Sequence, residues 1–242
     1  MIMLIDIGNT NIVCAIHDGK TYLHSKRFIS DTSNIKNILE FQKYPIQAIA
    51  ICSVVPRLTK LCIKKLNDSF KIHPFIVSYN NTKVKLKVDV PSDVGADRIC
   101  NTRAIIDRTN DTCIVIDFGT ATTYDVINNN QEGIGGAIAP GIDVSGKYLI
   151  ENASLLKNTV FNFPATVIGT CTTTNLQSGI MYGGLFSVSG MIKHIEQELN
   201  EPCEIFLTGG LSALISSKLN IEHKILPNLT LDGLRLIYFE KH

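Results

Sequence analysis

No two cysteines are spaced CxxC, and no stretch of the roughly 18 apolar residues that a membrane helix needs occurs. Lys and Arg number 23 against 22 Asp and Glu, and they are spread along the chain. A basic stripe of the kind that follows a nucleic-acid backbone is therefore missing. The opening MIMLIDIGNT has no basic leader segment, and Asp6 interrupts its apolar run early, which is unlike a signal peptide. The seven cysteines are odd in number and most sit in apolar runs. They read as buried free thiols of a reducing cytosol rather than as a disulfide framework or zinc site. These absences point to a cytoplasmic protein that binds neither nucleic acid nor membrane.

What is present is a chain of 242 residues with 45% hydrophobic and 19% charged residues. That suits one large domain or two of about 100–130 residues. The chain opens as strand, turn, strand, turn, strand. Ile2–Ile5 lead to Asp6-Ile7-Gly8, Asn11–His17 follow, Asp18-Gly19 is a hairpin turn, and Thr21–Ile29 return. Helical spacing follows near Asn34–Lys43, over Pro56–Phe70 and over Asp93–Arg108, with a strand near Ala48–Val54. The pattern then restarts: Cys113–Ile116 lead to Asp117-Phe118-Gly119, with Thr122–Ile127 and Ile134–Ile138 after them. Ile2–Ile16 set beside Cys113–Ile127 align the apolar runs, the Asp and the Gly. An internal repeat of this kind predicts a duplicated α/β fold with halves 1–110 and 111–242. A long helix over about Thr174–Asn200 has Gly179, Gly183, Gly184 and Gly190 on one face, which predicts close packing there.

The chemistry gathers at the turns. Asp6 and Asp117 each end a strand and enter a glycine turn, where a carboxylate can hold a cation and backbone N–H groups can approach phosphate. Asn9, Thr10, Asn11, Thr120, Thr122 and Thr123 add donors. One such turn alone is an ordinary local Asx turn; the pair suggests a phosphate site. Two carboxylates near a polyanion each call for a cation, and no Lys or Arg lies within Asp117–Asp125. Leu207-Thr208-Gly209-Gly210 leaves room for a flat ring against backbone and reads as a nucleotide contact. Gly141–Lys147 fits GxxxxGK, but Tyr148 stands where a P-loop needs Ser or Thr, and no GxGxxG follows a strand. In Gly95-Ala96-Asp97-Arg98, Asp97 could take a proton from a hydroxyl and Arg98 could bind an anion, unless the two form only a surface pair.

Taken together, Asp6–Asn11, Gly95–Arg98, Asp117–Thr122, Gly135–Gly141 and Leu229–Arg235 resemble, in order and spacing, the type III pantothenate kinases. The resemblance covers the whole chain. It implies duplicated ribonuclease-H-like (actin-like) domains, each a mixed sheet opening with a β-β-β unit and flanked by helices. It implies phosphorylation of pantothenate by ATP and a homodimer with active sites near the interface. ATP with magnesium would bind at Asp6, Ile7, Gly8, Asn9, Thr10 and Asn11, with Thr120 also touching ATP and Asp6 organising magnesium. Asp97 would be the base, Gly95, Ala96 and Arg98 would line the substrate with Val88 and Thr172, and Asp117 would ligate potassium or ammonium. Val88 stands where the family has Tyr, and Cys171 where it has Asn. Other readings are a sugar or carboxylate kinase of the same fold, a non-catalytic regulator, and a mechanical ATPase; the last needs inserted subdomains for which 242 residues leave no room.

Overall fold

The computed structural model describes residues 1–156 and 159–242. It divides into two compact units. The first comprises Met1–Asn110, Gln131–Gly133 and Asn228–His242, and the second comprises Asp111–Asn130 and Ile134–Pro227.

In the first unit, strands β1 (Ile2–Ile7), β2 (Asn11–His17), β3 (Tyr22–Ile29), β4 (Ala48–Ser53) and β5 (Phe75–Ile76) form a sheet ordered β3-β2-β1-β4-β5. The first three run antiparallel in succession, while β4 lies parallel to β1 and β5 parallel to β4. The Asp18-Gly19 turn forms as its residues require: Asp18 Oδ1 accepts from the N–H of Lys20 (2.7 Å) and of Thr21 (2.8 Å). Central β1 is apolar on both faces because both are covered. Met3, Ile5 and Ile7 pack with α1 (Pro56–Phe70) and with a 3-10 helix over Thr32–Lys43. Ile2 and Leu4 pack on the opposite face with residues of α2 (Ala96–Ile106) and of the C-terminal helix. Each such fully buried side chain contributes about 1.5–3 kcal/mol. On α1 the apolar stripe buries Leu58, Cys62 and Leu66, whereas Leu61 is exposed. A short strand, β6 (Lys85–Leu86), precedes α2.

The second unit repeats this order. Strands β7 (Cys113–Phe118), β8 (Ala121–Ile127), β9 (Glu132–Pro140), β10 (Glu204–Gly209) and β11 (Lys224–Ile225) lie as β11-β10-β7-β8-β9. Reversed, this is the first unit's order strand for strand. The first two residues of β9 belong to the first unit, where they pair with β6. Helices α3 (Ile142–Asn152), α4 (Thr172–Leu199) and α5 (Ser212–Ser216) complete the second unit, and α6 (Leu229–Lys241) returns to the first. Ile114, Ile116 and Phe118 pack against Met181, Leu185, Val188 and Ile192 of α4. The duplicated α/β architecture expected from the repeat is present.

Three expectations are corrected. Of the halves 1–110 and 111–242, the second gives up 131–133 and 228–242 to the first unit, where β6 pairs with Glu132 and Gly133 and α6 buries Leu231, Leu234 and Ile237 in the core. The repeat also slips by one residue after the turns. Gly8, Asn9 and Thr10 join β1 to β2, but only Gly119 and Thr120 join β7 to β8. Asn11 is thus equivalent to Ala121, and the burial patterns of the paired strands then coincide. On α4, only Gly184 is tightly packed, against Ile142; a Cβ at Gly179, Gly183 or Gly190 would meet nothing within 4 Å.

Candidate active site

The first unit's site grows from the carboxyl ends of β1 and β4. Asp6 pairs in register with Cys52, and side chains of a strand alternate, so Asp6 follows Ile2 and Leu4 onto the face that α2 covers. Beyond Asp6 the chain turns through Gly8, whose N–H donates to the Asn11 carbonyl (2.9 Å). Asn9 and Thr10 are exposed at the tip, and Asn11 and Gly8 are half-buried. Ser30 Oγ donates to the Gly8 carbonyl (2.5 Å) and the Ser30 N–H to the Thr10 carbonyl (2.9 Å). These bonds tie the turn to the end of β3. The Val54 N–H donates to the Ile7 carbonyl (3.1 Å), extending the β1–β4 pairing past the strands.

Asp97 arrives at this edge from the first turn of α2. Its Oδ1 accepts the Arg98 N–H at 2.8 Å. A Cβ on Gly95 would sit 2.5 Å from that oxygen and 3.5 Å from Val54 Cγ1. Gly95 is therefore needed for space: the Asp97 carboxylate folds over it, beside the end of β4. Burial pushes the Asp97 pKa above the ordinary carboxylate value, against the opposing pull of the Arg98 N–H and guanidinium. Asp6 and Asp97 share a neighbour. A hydrogen bond with the adjoining Cys100 thiol and burial hold the Cys52 thiol well above its usual pKa, and both carboxylates add to the rise. The structure thus brings Asp6, Asp97, Gly95, Ala96 and Arg98 to one edge of one unit. Val88 lies half-buried in the bend after β6, before the turn over Pro91–Asp93 that leads to α2.

The second unit's site occupies the equivalent edge. Asp117 pairs with Thr208, and Phe118 with Gly209. Gly209 has φ +87°, a conformation that costs most side chains strain. Its Cα lies against the Asp117 carboxylate, and a Cβ there would also come within 2.6 Å of the Phe118 nitrogen. The Gly210 N–H donates to the Phe118 carbonyl (3.0 Å), the counterpart of the Val54–Ile7 bond. Thr120 is exposed at the turn, and the Gly141 N–H before α3 donates to its carbonyl (3.1 Å). Thr172 is the first residue of α4 and lines a cavity of about 250 Å³ with Leu155, Thr159, Cys171, Thr173 and Leu176.

Reasoning from sequence missed two features here. Gly209 is a partner of Asp117 as well as part of a Gly-Gly turn, and its place at the end of β10, matching Ser53 on β4, was the available signal. Cys171 is exposed, unlike the expected buried thiols, because it caps α4. Hydrogen bonds with Thr174 draw its pKa down. Gly146 and Lys147 are helical, in α3, and Lys147 pairs with Asp143 (2.6 Å), so the GxxxxGK match is no phosphate loop. Among the described residues no group of three or more His, Cys, Asp or Glu could hold a metal. Any cation here must complete its shell with other oxygens, which fits magnesium carried on nucleotide phosphates beside a single carboxylate.

The model of the family described as type III pantothenate kinase matches residues 2–194. A type III pantothenate kinase of Myxococcus xanthus (strain DK1622) is 35% identical over 254 residues, spanning 100% of this chain and 99% of the relative. One from Geobacillus kaustophilus (strain HTA426) is 38% identical over 254 residues, spanning 98% and 97%. Among solved structures, a conserved Baf family protein from Campylobacter jejuni superposes with a TM-score of 0.66 at 21% identity, covering 98% of each chain. The inorganic polyphosphate/ATP-glucomannokinase of Arthrobacter sp. strain KM gives 0.52 at 14%, covering 100% of this chain and 99% of its own. The structural likenesses establish the fold, and the sequence matches establish more: this chain belongs to the type III pantothenate kinase family.

Proposed function

We propose that this protein transfers the γ-phosphoryl group of ATP to the primary hydroxyl of pantothenate, giving 4′-phosphopantothenate, the first step of coenzyme A synthesis. The observation that carries this reading is the placement of Asp97: a carboxylate at a helix start, folded over Gly95, with a raised pKa. A raised pKa makes the Asp97 carboxylate a better proton acceptor than an ordinary one. Asp97 takes the hydroxyl proton as the new O–P bond forms, and ADP leaves. Arg98 and the backbone of Gly95–Ala96 orient the acceptor, with Val88 beside them.

The turn Asp6–Asn11 offers its backbone N–H groups and the side chains of Asn9, Thr10 and Asn11 to the phosphates, and Thr120 adds a hydroxyl. Asp6 would hold magnesium through water. When bound with ATP, magnesium neutralises charge on the β- and γ-phosphates. Asp117, cradled against Gly209, takes potassium or ammonium, a cation that many oxygen ligands can satisfy without octahedral demands. Thr172 contacts pantothenate from the cavity at the start of α4, where helix N–H groups suit a carboxylate. The protein acts as a homodimer. Ile138, Tyr148 and Phe186 of the second unit are exposed large apolar side chains of the kind that a second copy would cover. No helix among the described residues is long and apolar enough to cross a membrane.

Incubation with γ-labelled ATP and a panel of acceptors tests the reading. Label should pass to pantothenate and not to hexoses or simple hydroxy acids. Label on a sugar instead would establish the alternative of a sugar kinase.

A further inference from the structure

Asp97 rides on α2, and α2 is gripped along its length by α6, a helix that comes from the far end of the chain. The helices touch backbone to backbone. Gly233 lies so close to Cys100 that a Cβ there would overlap the Cys100 carbonyl and come within 2.8 Å of its Cα. Beside this contact Thr230 Oγ1 donates to Asn101 Oδ1 at 2.8 Å, and Asn101 is fully buried. One turn further, Arg103 Nε donates to Glu240 Oε1 (2.6 Å). Past the end of α2, Asp232 accepts from Arg108 Nη2 (2.7 Å) and from Tyr22 Oη of β3 (2.7 Å), which also fixes α6 to the sheet. Cys100, at the closest point of contact, adjoins Cys52, the register partner of Asp6. The grip therefore falls about one helical turn from Asp97, and it faces the strands that carry the phosphate turn.

We infer that Thr230 and Gly233 are positioning residues for the phosphoryl transfer: through α2 they set where the Asp97 carboxylate stands relative to Asp6. Neither touches substrate. The inference rests on the reading of Asp97 as the base. Its physical ground is that a displacement of about 1 Å at a reacting group can cost on the order of 10²-fold in rate. A hydrogen bond between two side chains of packed helices is a means of holding such a distance.

The experiment compares Thr230→Val, which keeps shape and removes the donor, with Thr230→Ser, which keeps the hydroxyl, and with Gly233→Ala. Steady-state kinetics are measured below each variant's unfolding temperature. In Thr230→Val kcat should fall by about 10-fold with the KM for ATP unchanged. Thr230→Ser should retain the wild-type kcat, and Gly233→Ala, if folded, should lose more than Thr230→Val. If Thr230→Val melts at a lower temperature yet keeps the wild-type kcat, the hydroxyl only stabilises the fold and the inference is overturned. A rise in KM for ATP equal to the fall in kcat would overturn it too. Asp97→Asn serves as the control: full activity there would remove the base assignment itself, whereas an inactive Asp97→Asn beside a normal Thr230→Val removes only the positioning role.

Discussion

The turns after β1 and β7 hold the same place in two sheets of the same strand order, and they are built differently. Each has an Asp one residue before the strand's end and a Gly just beyond it, and each Gly N–H closes the turn on the first residue of the next strand. The first turn has the extra residue and the side-chain amides of Asn9 and Asn11, and it is tied to β3 through Ser30. The second is shorter and is braced from two sides, by Gly141 and by a positive-φ Gly209 lying on the Asp117 carboxylate. The first unit brings a second carboxylate, Asp97, to its edge at the start of α2, folded over Gly95; in the second unit Asp143 at the start of α3 pairs with Lys147 instead. Duplication supplied the frame twice. On the proposed function, changes of one residue in a turn and one glycine at a strand end would suit the first turn to polydentate phosphate and the second to a single cation.

The comparison breaks most sharply at Asp97, which lies outside the repeated strands and turns. Asp97→Asn should lower kcat by about 10²–10⁴-fold while ATP binding persists, measured by steady-state kinetics and calorimetry. The same variant reports the pKa. A carboxylate with a raised folded-state pKa contributes stability below its unfolded value, and loses it as pH rises through the folded value. The neutral amide escapes that loss, so Asp97→Asn should melt above wild type at pH 7, with the gap closing in acid. In the wild type, kcat/KM should fall on the acid side with a midpoint above the usual carboxylate range.

The two repeated aspartates should separate by cation. Asp6→Ala is expected to raise the magnesium and ATP concentrations needed for turnover while leaving the response to potassium. Asp117→Ala should do the reverse: the advantage of potassium over sodium disappears. Titrating each variant with magnesium and then with potassium checks the division, and identical responses from both variants would erase it.

The smallest expected effect is at the strand ends. Gly209→Ala must hold alanine at φ +87°, which alone costs about 1–2 kcal/mol, with its Cβ pressed on Asp117 and on the Phe118 backbone in addition. Ser53→Ala, at the matching position on β4, loses the hydrogen bonds that Ser53 Oγ accepts from Thr59 Oγ1 (2.6 Å) and the Val55 N–H (3.1 Å) and the long one it donates to the Ile7 carbonyl (3.5 Å), with no backbone strain. Thermal melts of the two variants should rank Gly209→Ala as the more damaging, and only it should weaken the potassium response.

Much of this frame could be read from local pattern. The Asp-Gly turns, the Asp18-Gly19 hairpin and the stripe of α1 depend on nearest neighbours, and they appear where spacing placed them. The repeat itself was legible because both copies keep the same burial alternation in their strands. What escaped depends on contacts distant in sequence. That α6 leaves the second unit to cover β1 and α2 follows from tertiary packing of Leu231, Leu234 and Ile237, which no window of sequence contains. The missing residue in the second turn was hidden because an ungapped alignment still matched apolar with apolar along the first strand. The exposure of Cys171 follows from its place as the cap of α4, whereas the apolar runs around most other cysteines indicate burial correctly.

The most direct test is ADP release by the wild-type protein with magnesium-ATP, with and without pantothenate, in potassium and in sodium buffers. The account predicts rapid release only where pantothenate and potassium are both present, and background rates elsewhere. ADP release at the same rate with and without pantothenate would contradict it.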